Sequence, residues 1–226
     1  MALVLSIETS TSVCSVALHQ TGKLVATLEI YQDFSHASKL GLLVDDVIKL
    51  ADIKIRDIGA IAVSSGPGSY TGLRIGTSLA KGLCYAWDVP LISVPTLQMM
   101  AAYVGSFNTA DAFLCPMIDA RRMEVYCQLF DSNLEETEQV HAKVIDNKSF
   151  DAQLSIKPII FFGNGSMKCR EVIVHENAKF LVDVNPSAAQ MGHLAYRRFE
   201  QGLVEDLVQF APLYLKEFFI KKATAV

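Results

Sequence analysis

Three short stretches hold the residues best able to do chemistry. Gly66-Pro67-Gly68-Ser69-Tyr70-Thr71-Gly72 follows an apolar run, and Gly76 adds a further glycine one turn later. Glycines let a backbone approach another group closely, and amides at a helix N-terminus attract anions. Gly66, Gly68, Ser69 and Gly72 could therefore contact a phosphate or nucleotide. The loop is neither G-x-x-x-x-G-K-S/T nor G-x-G-x-x-G, so it lacks the known nucleotide fingerprints. The spacing of Gly68, Gly72 and Gly76 suits a helix start packed tightly on a neighbour equally well. The second stretch is Glu8-Thr9-Ser10, where a carboxylate and hydroxyls could hold hydrated Mg²⁺ beside a phosphate. A plain strand-to-turn transition is the alternative. The third is Asp119-Ala120-Arg121-Arg122-Met123-Glu124-Val125-Tyr126, whose Arg121 and Arg122 could meet phosphate, RNA or a partner carboxylate. A solvated hairpin tip explains them as well. Gly163-Asn164-Gly165-Ser166 is a strand-end turn that could face a ligand or simply be tight.

Other chemistries find little support. His19, His36, His141, His175 and His193 include no H-E-x-x-H and no close pair, so no metal site is expected. G-x-S-x-G is absent, which removes the usual serine nucleophile. Cys14, Cys84, Cys115, Cys127 and Cys169 are scattered, with no C-x-x-C pair, and read as small buried hydrophobes of a reducing cytoplasm.

The elements that must carry these stretches can be placed from apolar pattern and turn chemistry. Strands are predicted over 3–7, 13–18 and 23–30, then a helix over 35–51 with Leu40, Leu43, Val44, Val47 and Leu50 at helical spacing. A strand at 58–64 leads through the glycine loop into a helix at 73–87. A strand at 90–94 and a helix at 96–103 follow. The second half repeats the plan: strands at 112–118, 123–130 and 139–144, then 158–162 and 180–184, then a helix from Ser187 to about Gln201. Two βββαβα-type halves result, with lobes at 1–106 and 107–226. The 73–87 helix is apolar on nearly every side, so it should be buried on both faces. We expect Leu40, Leu43, Val44 and Val47 of the first helix, with Leu73, Ile75, Leu79, Ala80 and Leu83 of this one, to meet a partner.

Composition narrows the function class. The chain has 226 residues, 51% hydrophobic and 19% charged, with 20 Lys plus Arg against 24 Asp plus Glu and a net charge of −4. A chain that grips nucleic acid unaided would carry a basic surplus. Arg197-Arg198 and Lys221-Lys222 add small basic pairs only. No signal sequence and no run of the ~20 apolar residues a membrane helix needs are visible.

Taken together, three blocks resemble the bacterial TsaB (YeaZ) family: Leu5-Ser6-Ile7-Glu8-Thr9-Ser10 with Cys14-Ser15-Val16-Ala17-Leu18, the glycine loop through Gly76 with Ala80-Lys81-Gly82-Leu83, and Asp119 to Tyr126. Family members usually carry Asp where Glu8 stands. The resemblance implies an α/β fold of two actin/Hsp70/sugar-kinase-like (ASKHA) lobes with ribonuclease H-like halves. It also implies a non-catalytic scaffold that dimerises with TsaD and activates it in making N6-threonylcarbamoyladenosine at position 37 of tRNA. TsaE would be a further partner, a homodimer would form when TsaD is missing, and tRNA would be met through the complex. ATP and Mg²⁺ would belong to partner subunits, with weak or no binding here. TsaD-type proteins carry a His-x-x-x-His metal pair, and Thr96 and Met100 fall at those positions, a poor metal site. The resemblance also implies a cytoplasmic protein without a membrane segment. The rival reading is a stand-alone ASKHA-type ATPase, phosphotransferase or peptidase.

Overall fold

A computed structural model describes residues 3–33 and 36–216. Ser35 and the Lys221-Lys222 pair lie outside the described residues. The first half opens with an antiparallel meander, β1 (Leu3–Glu8), β2 (Cys14–Gln20) and β3 (Lys23–Ile30). Helix α1 (His36–Leu50) leads to β4 (Ile58–Ser64), α2 (Tyr70–Trp87), β5 (Leu91–Val94) and α3 (Thr96–Gly105). The second half has β6 (Phe113–Asp119), β7 (Glu124–Phe130) and β8 (Glu136–Val144). After them come α4 (Asp151–Leu154), β9 (Ile159–Phe162), β10 (Ala178–Phe180) and α5 (Gly192–Glu200).

Both halves build a five-stranded sheet in the same order. The first runs β3-β2-β1-β4-β5, and the second, read from its matching edge, runs β8-β7-β6-β9-β10. In each, the first three strands are antiparallel and the last two run parallel to the first. The repeat predicted from sequence therefore holds for strands but not for helices. Where the first half uses α1, the second has only the four-residue α4, and a 3₁₀ turn at Met167–Cys169 stands in for α2.

Three apolar clusters make a layered core. Leu5, Ile7, Ile61 and Val63 face α1 and α2 on the outer side of the first sheet. Val4, Ala60, Ala62, Ile92 and Val94 face inward, where α3 and α5 separate them from Leu114, Ile118, Phe130 and Phe162 of the second sheet. The third cluster, around Cys115, Phe150 and Phe161, backs the second sheet.

Several expectations need correction. The contiguous division at 106/107 is one of them. The turn at Ala188–Gln190 packs on β1, β2 and β3, and α5 packs on β1 and β5, so the final segment completes the first lobe. Further bonds tie residues after α5 to that lobe: Glu205 N–H donates to Leu91 O and Leu213 N–H to Ser65 O, each at 2.8 Å. The predicted 187–201 helix is also broken. Ser187 Oγ accepts from Ala189 N–H, Ser15 Oγ accepts from Ala188 N–H at 2.9 Å, and His19 Nε2 reaches Ala189 O at 3.2 Å. These bonds to β2 hold a 3₁₀ turn, and α5 starts only at Gly192. The strand predicted at 180–184 lies earlier, because Ala178, Lys179 and Phe180 are the residues that pair with Ile159, Ile160 and Phe161.

The predicted partner surface changes most. Leu40, Leu43, Val44, Val47, Leu73 and Ala80 are buried in the chain's own core. Ile75, Leu79 and Leu83 are partly buried against the same cluster. A helix lying on a sheet must turn its apolar stripe toward that sheet, and α1 and α2 both do so. Helix α2 is not apolar all round either, since Thr71, Arg74, Ser78, Gly82 and Tyr85 are exposed along its outer side.

Candidate functional site

The glycine loop is filled by the chain itself. Helix α2 begins one turn before the predicted start, with Ser69 as N-cap accepting from Gly72 N–H at 3.3 Å. Its glycine face then lies directly on the end of β1. A Cβ on Gly72 would sit well inside van der Waals contact of the Thr9 carbonyl oxygen. One on Gly76 would strike Thr9 Oγ1, and one on Gly68 the Ser10 carbonyl oxygen. Ser69 N–H donates to Ser10 O at 2.6 Å, closing the junction. Gly66, with φ +92, turns the chain into the loop beside the Leu213 carbonyl. Close helix–strand packing is thus what these glycines serve.

Glu8 is sealed beneath this junction. It is fully buried, as are Thr9 and Ser10, and the Ser10 amide donates to Glu8 Oε1. Burial pushes its carboxyl up to about 7, against the pull of the Ser10 side chain and amide, Ser64 and the Thr9 amide. The Ser10 and Ser64 hydroxyls stand close enough to lower that value, yet neither is aligned for a full hydrogen bond. Glu8 Oε2 and the hydroxyls of Thr9, Thr77 and Thr96 are likewise buried without a partner. A hydrated Mg²⁺ needs a carboxylate open to water and phosphate oxygens. Neither Glu8 nor the glycine face fits that role, so no phosphoryl step is routed through them. Thr96 and Met100 are also wholly buried, and among the described residues no group of three His, Cys, Asp or Glu side chains could hold a metal.

An open cleft lies between the lobes, beside the glycine loop, with Gly68, Ser69 and Gly72 on its edge. It is a cavity of about 930 Å³ with the Ser10–Ser12 turn and the start of α2 on one wall, and Asp119 to Arg122 with Asn164 on the other. Tyr214 and Lys216 also line it. Arg121 and Arg122 are exposed and adopt left-handed φ values of 70° and 49°. Asp119 Oδ1 accepts from Arg121 N–H at 2.7 Å, and Asn164 Oδ1 accepts from Asp119 N–H at 3.0 Å. Lys168 Nζ donates to the carbonyls of Arg122 and Glu124, both at 2.7 Å, and also pairs with Asp119. Lys216 pairs with Glu124.

The hairpin and the Gly163–Gly165 turn, two separate suggestions of the sequence, therefore meet in one wall. Sequence reasoning missed Lys168, Tyr214 and Lys216, because a single lysine or tyrosine far along the chain carries no local signature of its target. Substituting Lys168 with methionine should loosen the tip. Loss of a charge-assisted hydrogen bond costs about 1.5–3 kcal/mol when buried and less at this partly exposed site. Faster hydrogen exchange at the Glu124 amide, with the β1 amides unchanged, is the expected reading; equal exchange in variant and wild type would show that Lys168 braces nothing.

Comparison with known proteins places this architecture. The family model described as TsaD, tRNA N6-adenosine threonylcarbamoyltransferase, matches residues 32–224. The Escherichia coli protein named tRNA threonylcarbamoyladenosine biosynthesis protein TsaB is 32% identical over 94% of this chain and 94% of its own length. The chain belongs to the TsaB group of the TsaD family. The TsaB protein of Bacillus subtilis is 34% identical over 61% of this chain and 58% of its own. Among solved structures, YeaZ from Pseudomonas aeruginosa superimposes with a TM-score of 0.78 at 26% identity, covering 95% of this chain and 100% of that one. A Clostridium difficile activator of 2-hydroxyisocaproyl-CoA dehydratase, at TM-score 0.53 and 9% identity, covers 91% of this chain and 98% of its own and shares the fold. The predicted two-lobed ASKHA architecture is therefore the observed one. Among the described residues, no helix of this TsaB-group chain is long and apolar enough to cross a membrane.

Proposed function

We propose that this chain is a non-catalytic subunit of a cytoplasmic complex that makes N6-threonylcarbamoyladenosine in tRNA, and that it binds and activates a TsaD-type partner. The relatives' names support the pathway. The observation that carries the accessory role is the glycine loop closed by the chain's own Thr9 and Ser10, with Glu8 sealed below it. A loop so filled suits a scaffold better than a phosphotransferase. TsaE, tRNA, ATP and Mg²⁺ would be engaged through the assembled complex, and a homodimer would form on the same surface when the partner is missing.

The docking surface in this reading is the solvent side of α1 and α2. Gly41 and Gly82 lie inside these helices with nothing within 4 Å of a notional Cβ. Glycine in a helix interior costs about 0.8–1 kcal/mol relative to alanine. No contact among the described residues explains either glycine, whereas close approach of another backbone would. Leu42 and Tyr85 flank them, 57% and 86% exposed.

Size-exclusion chromatography with the TsaD-type partner tests this. Gly82→Gln and Tyr85→Glu should each abolish co-elution, an effect of about 2 kcal/mol or more for a central contact, while the isolated chain melts no lower than the wild type. Leu79 and Leu83 are unsuitable targets, because they pack on the chain's own core. Survival of the complex in both variants would remove this surface from the reading. Reconstitution of the modification with and without the chain tests activation separately.

A further inference from the structure

The first sheet ends in a free edge. Strand β3 is bonded to β2, and among the described residues no strand pairs with its other side. Such an edge offers a row of amides and carbonyls to any extended chain, and proteins usually blunt it with charges, proline or bulges. The two halves of the fold supply their own comparison. The matching edge, β8, carries Glu136, Glu138 and Lys143 and is interrupted by two register shifts against β7. Strand β3 has one shift, beside His19, and no charged residue from Leu24 to Leu28. Leu24, Val25 and Thr27 are exposed. One edge is defended and the other is left open.

The open edge borders a cavity of about 370 Å³ that shares no residue with the interlobe cleft. Leu24 near the start of β3 and Glu29 near its end both line it, with Tyr31, Tyr103, Asp183 and Gln190. The charge there has one sign, since no lysine or arginine is among the lining residues. Glu29 accepts from the hydroxyls of Tyr31 and Ser187. Those neutral donors fix the carboxylate without cancelling its charge, and its oxygens keep further lone pairs. Asp183 is exposed, and among the described residues no hydrogen bond or ion pair engages its carboxylate. Gln190 Nε2 donates to Asn185 O at 2.9 Å, while its Oε1 is buried without a partner. Tyr31 and Tyr103 are exposed beside these acceptors. Carboxylates flanked by aromatic faces are the surroundings that suit a lysine ammonium or an arginine guanidinium.

We propose that β3 and this notch form a docking strip for an extended basic segment of another protein. Its main chain would add to the free edge, and a lysine or arginine side chain would sit among Glu29, Asp183, Tyr31 and Tyr103. Strand addition supplies main-chain hydrogen bonds, and a pocket beside the edge supplies selectivity. Charge complementarity decides the occupant. Two carboxylates with no basic neighbour in the notch call for a segment with several cations, whereas the β3 strand of a second copy brings Lys23 alone. The inference does not rest on the function proposed above, since neither the α1/α2 surface nor the glycine loop enters it.

Fluorescence anisotropy on the full chain tests it with a labelled seven-residue peptide of alternating arginine and valine. That peptide should bind, and its counterpart with glutamate in place of arginine should not. Glu29→Gln combined with Asp183→Asn should weaken binding more than about tenfold, since a hydrogen bond to a charged group is worth about tenfold or more. Asp183→Asn alone, which breaks no bond within the described chain, should weaken it about two- to fivefold, the range of an exposed ion pair. Circular dichroism should match the wild type in both variants. Adding the peptide should slow hydrogen exchange at β3 amides and leave β8 unchanged. A fully N-methylated peptide, which lacks every main-chain donor, should not bind. The proposal is overturned by no binding, or by binding that ignores both sets of substitutions. It is equally overturned if arginine amide or the N-methylated peptide binds as tightly as the parent peptide. Protection of β3 that rises with protein concentration alone would give the edge to a second copy and overturn it too.

Discussion

Gly72→Ala is expected to destabilise the isolated chain by about 3 kcal/mol or more, the upper range for overpacking a closed core. The added methyl would meet the Thr9 carbonyl oxygen, one residue past the end of β1, whose last residues pair with β2 and β4. A flexible side chain could rotate away from such a methyl, but a backbone carbonyl buried directly after a paired strand cannot. Relief would require α2 to lift from β1, uncovering Leu73, Ala80 and Cys84. Gly82→Ala makes the matched control. Its methyl would enter open space, so the isolated chain should gain about 0.5–1 kcal/mol of helix stability. Urea denaturation with a shared m-value reads both. A Gly72→Ala midpoint within about 1 kcal/mol of wild type would mean that the helix–strand junction is far more plastic than its geometry. The pair also separates two settings of glycine in one helix, since Gly72 is pressed against Thr9 and Gly82 faces open space.

The second large effect concerns pH. The Glu8 carboxyl, ordinarily at 4.5, is held at about 7 by burial. The folded chain therefore keeps a proton that the unfolded chain releases at lower pH. The native state binds more protons between those values, so stability falls as pH rises from about 4.5 to about 7 and then levels. The displacement amounts to about 3 kcal/mol across that window. Histidine 19 acts oppositely: burial holds it below 6.5, so its contribution is lost as pH falls. Comparing wild type with Glu8→Gln cancels the histidine. The difference between the two should change by a few kcal/mol between pH 5 and pH 8, the glutamine variant gaining relative stability at the alkaline end. Parallel stability profiles for the two proteins would show that Glu8 finds compensating water or a counter-charge.

Much of the fold was legible because its signals are local. The turn residues Thr9 to Ser12 and Gln20 to Gly22 separate three short strands, and the sheet follows them closely. Helix α1 was equally plain from Leu40, Leu43, Val44 and Val47. Periodicity reports which face of a helix is apolar, not what lies against it. The same leucines that suggested a partner surface proved to be the cover of the first sheet. Gly41 and Gly82, on the outward face, carry no sequence signal that tells them from any other helix glycine. For the glycine loop, spacing left phosphate binding and tight packing open, and only the approach of Thr9 and Ser10 decided between them. The break between the Ala188–Gln190 turn and α5 was invisible, because its causes, Ser15 and His19, lie in β2. The Arg121-Arg122 pair was noticed for its charge, but its bracing depends on Lys168 and Asn164, brought in from another turn.

The return of the last helix to the first sheet also bears on the order in which the protein is made. A ribosome releases β1 to β5 early, yet the turn and helix that help cover Val4, Ala62 and Ile92 emerge only after the entire second sheet. During that interval the nascent first sheet has α3 alone over its inner face. Native closure must therefore wait until α5 has emerged, and the second lobe is in effect an insertion within the first. A messenger truncated between the lobes would yield an open apolar sheet prone to aggregation, not a free-standing half.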